Sequence, residues 1–102
     1  MKERLMKMNR SNKSIMLRAL IADSQALRKT GGDRRAVCEL GNRITDTKNE
    51  RLFLNDAEYH LLRDSLNRLR NQRIATGGYT DATDDALIKL MKAKPPLLPF
   101  FR

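Results

Sequence analysis

Phe53-Leu54-Asn55-Asp56-Ala57-Glu58-Tyr59-His60-Leu61-Leu62-Arg63-Asp64-Ser65-Leu66-Asn67-Arg68-Leu69-Arg70-Asn71-Gln72-Arg73 carries a cap, a helical period and a charge pattern that agree with one another. Asn55 stands three residues before Glu58. The Asn side chain can accept a free backbone N–H of the first turn, and Glu58 can reach back to Asn55. Leu54 is placed to staple onto Tyr59. Asp56 and Glu58 complement the positive helix end, and Arg68, Arg70 and Arg73 the negative one. Tyr59, Leu62, Leu66 and Leu69 repeat at helical spacing, and Leu61 widens them to a core-facing stripe. A helix over 56–73 follows, with Arg63, Asn67, Arg70 and Arg73 on another, basic face.

Upstream, Ser14 is placed to cap a helix that runs to Lys29. Ile15, Ala19, Ala22 and Ala26 share one face, with Met16, Leu20 and Leu27 beside it. Leu17 and Ile21 extend the apolar surface, as expected of a helix buried on two sides. Thr30-Gly31-Gly32 ends it. Asp33 caps a second helix over 34–46 with Val37, Leu40 and Ile44 as its stripe. Gly41 lies inside, at a propensity cost of about 1 kcal/mol relative to Ala unless it serves a close helix–helix approach. Residues 45–51 read as a polar connection. Downstream, Thr76-Gly77-Gly78 repeats the earlier turn. Thr80 or Asp81 caps a last helix over 82–92, with Ala86, Leu87, Leu90 and Met91 facing inward.

The expected fold is therefore all-α: one small four-helix domain of two helical hairpins. Residues 1–13 read as a basic flexible arm, 14–94 as the helical domain, and 95–102 as an extended apolar tail. Pro95 stops the last helix, and Leu97, Leu98, Phe100 and Phe101 are expected to lie across the bundle and cover its open groove, or in the alternative to dock as a linear motif in another protein's groove.

Charge is the strongest functional signal. The net charge is +9 over 102 residues. Residues 1–36 hold ten Lys/Arg against three acids, and the remaining 66 are nearly neutral. Such a bias suits a polyanion. The candidate nucleic-acid contacts are the arm (Lys2, Arg4, Lys7, Arg10, Lys13), the first turn (Arg28, Lys29, Arg34, Arg35) and the central stripe (Arg63, Asn67, Arg70, Arg73). Phosphate contacts would bind with a steep salt dependence, and few aromatics are on offer for base stacking.

Chemistry beyond binding has little support. His60 is the sole histidine and Cys38 the sole cysteine, too few ligands for a structural zinc site. Cys38 is expected on a core-facing edge and His60 on an exposed one, which argues against a nucleophilic pair. Neither Gly pair is followed by Gly-Lys-Ser/Thr, so there is no P-loop. No enzyme activity, cofactor or metal is expected. One cysteine fits a reducing compartment, and neither a secretory signal nor a membrane span is apparent, so a cytoplasmic protein is expected. The first expectation is a small non-enzymatic regulator that binds RNA or DNA through backbone electrostatics. The alternative is a protein-interaction module, such as a virus-encoded inhibitor or adaptor acting on an acidic surface of a larger host protein. A homodimer is a further candidate assembly.

Overall fold

A computed structural model describes residues 3–93. The elements in chain order are β1 (Arg4–Lys7), α1 (Arg10–Thr30), α2 (Arg35–Asp46), β2 (Arg51–Leu54), α3 (Asp56–Ala75) and α4 (Asp81–Met91). The domain is mostly helical, and its four helices are those expected from the sequence. Lys2 and the tail with Leu97, Leu98, Phe100 and Phe101 lie outside the described residues.

Helix α3 begins as its sequence dictates. Asn55 Oδ1 accepts the Glu58 N–H at 2.8 Å, and Glu58 Oε1 accepts the Asn55 N–H at 2.9 Å. Leu62, Leu66 and Leu69 are buried, as is Leu54 just before the cap. Glu58 also receives both terminal nitrogens of Arg43, at 2.7 and 2.8 Å, and Arg43 Nη2 donates to the Phe53 carbonyl at 2.7 Å. One guanidinium fork thus ties α2 to β2 and to the start of α3.

Both Thr-Gly-Gly turns close their helices in the same way. Gly31 has φ +74° and Gly77 φ +77°, a left-handed conformation that Gly adopts without steric cost. The following N–H then reaches back five residues, Gly32 to the Leu27 carbonyl at 2.8 Å and Gly78 to the Arg73 carbonyl at 2.7 Å. This is the Schellman pattern, which satisfies carbonyls at a helix end.

The N-terminal segment departs from expectation. In place of a flexible arm there is a strand, β1, followed directly by the first turns of α1. β1 pairs antiparallel with β2 in the register Arg4↔Leu54, Leu5↔Phe53, Met6↔Leu52 and Lys7↔Arg51. The physical reason is burial of side chains that looked too sparse to matter: Met6 and Leu52 face each other across the ladder at 0% and 1% exposure. Met8 is buried as well, and its N–H donates to the Glu50 carbonyl at 2.9 Å. The 45–51 connection accordingly ends in a strand, and the domain is not purely helical.

Helix α1 starts at Arg10 rather than after Ser14. Its cap is Asn9, whose Oδ1 accepts the Asn12 N–H at 2.8 Å while Asn12 Oδ1 accepts the Asn9 N–H at 2.9 Å. Asn-x-x-Asn here performs the reciprocal capping usually done by Ser/Thr with Glu. α1 is the central helix and packs against α2, α3 and α4. Ile15, Met16, Ala19 and Leu20 are buried, but Ile21 is 56% exposed, so burial on two sides holds for the N-terminal half of the helix alone. On α4, Ala86, Leu87 and Leu90 are buried, whereas Met91 is turned outward.

Gly41 does not mediate a close approach. A Cβ at this position would meet nothing within 4 Å. Gly41→Ala is therefore expected to stabilise the domain by about 0.5–1 kcal/mol, the helix-propensity difference with no steric penalty. A rise in the urea midpoint at unchanged m-value checks this.

Candidate nucleic-acid interface

Cation partners decide which of the basic residues face solvent with their charge free. Several do not. Arg4 Nε lies 3.4 Å from Asp56, and its guanidinium stacks over the Tyr59 ring at 4.3 Å. Lys13 donates to the Thr47 carbonyl at 2.9 Å. Arg63 pairs with its neighbour Asp64 at 3.3 Å, and Arg70 donates to Asp84 at 2.6 Å. Arg68 grips Asp23 with Nε at 3.0 Å and a terminal nitrogen at 2.5 Å. The central stripe of α3 is thus largely neutralised by neighbours, with Asn67 exposed among them.

Among the remaining cations two groups stand out, with Lys48, Arg51 and Lys92 exposed elsewhere. Arg28 and Lys29 at the end of α1 and Arg34 and Arg35 at the start of α2 are exposed around the first Gly turn. Lys7 is exposed on β1. At the other end of α1, Arg10, Ser11, Ser14, Ile15 and Arg18 form one wall of an open cleft, closed by Arg73 of α3 and Ala82 of α4. Its volume is about 540 Å³. Arg10, Ser14 and Arg18 recur every four residues, so they line one face over about 12 Å of helix. Among the described residues neither Arg10 nor Arg18 makes an ion pair, and the buried Nε of Arg73 has no hydrogen-bond partner. No carboxylate lines the cleft. Asp81 stands exposed on the rim beside Ala82.

The structure brings together Arg10 and Arg73, assigned from sequence to separate clusters. It adds Arg18, Ser11 and Ser14, which were not singled out. The i, i+4, i+8 spacing of Arg10, Ser14 and Arg18 was the available signal, hidden because Ser14 looked like the helix cap. What the arrangement does chemically is plain. Three guanidiniums and two hydroxyls offer donors to an anion, with no carboxylate among the described residues of the lining.

The carboxyls that neutralise the rest of the basic surface are themselves shifted. Burial pushes the Asp23 carboxyl up, but the Arg68 hydrogen bond and charge outweigh it, so it lies below its ordinary 3.8. The Arg70 hydrogen bond, helped by Thr80, lowers Asp84, and the Asn12 amide chiefly lowers Asp85. Each therefore binds its proton less tightly folded than unfolded. Their contribution to stability is complete above the unfolded value and is lost as pH falls through the lower folded values. The urea midpoint is expected to be lower at about pH 3 than at about pH 6, and Asp23→Asn should reduce the difference.

Among the described residues no three His, Cys, Asp or Glu side chains are grouped as metal ligands, and no helix is long and apolar enough to cross a membrane. Cys38 is exposed, not core-facing, with Sγ 3.8 Å from Ser24 Oγ. It sits on an apolar groove of about 290 Å³ between α1 and α2, lined also by Leu17, Ile21 and Val37. Comparison with family models, curated proteins and solved structures finds no match to this chain.

Proposed function

We propose that this protein is a small non-enzymatic regulator that binds nucleic acid by its phosphate backbone, through the cleft of Arg10, Ser14, Arg18 and Arg73. The observation that carries this reading is an array of unpaired guanidiniums in a domain that neutralises most of its other helical arginines with carboxylates. A protein that used its positive charge for solubility alone has no need of such a division. The exposed cations around Gly31 extend the contact, since Arg28 lies about 15 Å along α1 from Arg18. A polyanion following that helix meets both groups.

The test is binding to RNA and to duplex DNA over a salt series. The logarithm of the affinity should fall linearly with the logarithm of salt. Replacing Arg10 and Arg18 together with Gln should weaken binding and flatten that slope by roughly 1.4–1.8, two phosphate contacts' worth. Both side chains are exposed and unpaired, so the fold should be unaffected. Absence of binding at low salt, or binding that ignores salt, overturns the proposal.

A second reading, as a protein-interaction module, is favoured by the apolar groove between α1 and α2, where Ile21 is 56% exposed. Capture of a partner from lysate that survives nuclease and is lost in Ile21→Ser supports it over the first.

A further inference from the structure

We propose that the ligand of the basic cleft is single-stranded nucleic acid, one base of which stacks on Tyr79. This rests on the reading of the cleft given above and names the class of nucleic acid that it takes. Tyr79 is 88% exposed, the most exposed of the large hydrophobic side chains described. Leaving such a ring in water forgoes the stabilisation that burial gives, and among the described residues no other aromatic ring packs on it.

The backbone on either side of the ring is nevertheless anchored. Tyr79 follows Gly78, whose N–H is fixed to the Arg73 carbonyl at 2.7 Å, and precedes Thr80, whose hydroxyl donates to Asp84 at 2.9 Å. The first anchor, Arg73, is part of the cleft's own wall, whereas Asp84 lies outside its lining. Arg73 and Ala82 line it, and Tyr79 lies between them in the chain. Tyr79 and Ala82 are three positions apart, so their Cα atoms are within about 11 Å of each other. A base attached to a phosphate in the cleft is then within reach of the ring.

The discrimination follows from which part of a base is accessible. In a duplex the base faces are covered by their neighbours and only the edges are open. An exposed aromatic ring offers a face, which only an unstacked base can use. The arginines hold the backbone of either form, whereas Tyr79 rewards the single strand alone.

The experiment compares an oligouridine RNA with an RNA hairpin duplex, using the full chain. Tyr79→Ala should weaken binding of the single strand roughly 5- to 150-fold and leave duplex binding unchanged, the range expected for loss of one stacked base. Tyr79→Phe, which keeps the ring, should bind as the unsubstituted protein does. The chain has two tyrosines and no tryptophan, so fluorotyrosine labelling gives two ¹⁹F resonances. The Tyr79 resonance should move with the single strand and stay with the duplex. If Tyr79→Ala leaves the single-strand affinity intact while Arg10→Gln with Arg18→Gln lowers it, stacking is overturned and the cleft reading stands. If the unsubstituted protein binds neither these RNAs nor single-stranded or duplex DNA at low salt, both fail.

Discussion

Asn12→Ala is expected to destabilise the domain by about 3 kcal/mol, far more than a polar-to-alanine change on a helix surface. Asn12 is fully buried, and both polar atoms of its side chain are hydrogen-bonded. Its Oδ1 accepts the Asn9 N–H at 2.9 Å and the Lys89 ammonium at 2.9 Å, and its Nδ2 donates to Asp85 at 2.8 Å. Alanine removes half of the α1 cap, worth about 1 kcal/mol. It also breaks the bonds to Lys89 and Asp85, and emptying a fully buried polar site costs about 1–3 kcal/mol more. Relaxation is available, because Asp85 and Lys89 already lie 3.5 Å apart and both keep partial solvent access, so neither charge is stranded. That is why the expected cost stays near 3 kcal/mol rather than twice that. Urea unfolding at neutral pH measures it. A loss below about 1 kcal/mol would show that the α1–α4 link through Asn12 is not formed.

Met6→Ala is the second large effect, again at about 3 kcal/mol, within the range for truncating a fully buried Met. Met6 is 0% exposed and sits opposite Leu52 in the two-stranded ladder. Lys7→Ala, one residue on and exposed, should change stability by less than about 0.5 kcal/mol. The pair separates a folded strand from a flexible arm, in which both substitutions would be neutral. Equal, small effects at the two positions would return residues 4–7 to the arm.

These two residues mark where reading the sequence stops. The helix at Asp56–Ala75 was legible because its determinants are local: Asn55 and Glu58 are three residues apart and their bonds form within one turn. The Thr-Gly-Gly ends were legible for the same reason, since αL glycine and its backward N–H bonds depend on six consecutive residues. Strands β1 and β2 were not. Each has four residues, too short for an alternating pattern to stand out, and their partners are 44–50 positions apart in the chain. Met6 looked like part of a charged arm until Leu52 was set beside it.

The candidate interface divides in the same way. That the chain is basic, and most basic in its first third, follows from composition. Which cations are free to bind does not, because Asp23, Asp84 and Asp56 neutralise Arg68, Arg70 and Arg4 across the tertiary structure. Arg10 and Arg73 are 63 residues apart and become neighbours only when α1, α3 and α4 pack. The sequence by itself determined the helices, their caps and the sign of the charge, because these depend on neighbours within a turn or on simple counts. The tertiary structure alone decided the strand pair, the buried Asn12 link and the cleft, because each depends on side chains that only packing brings within contact distance.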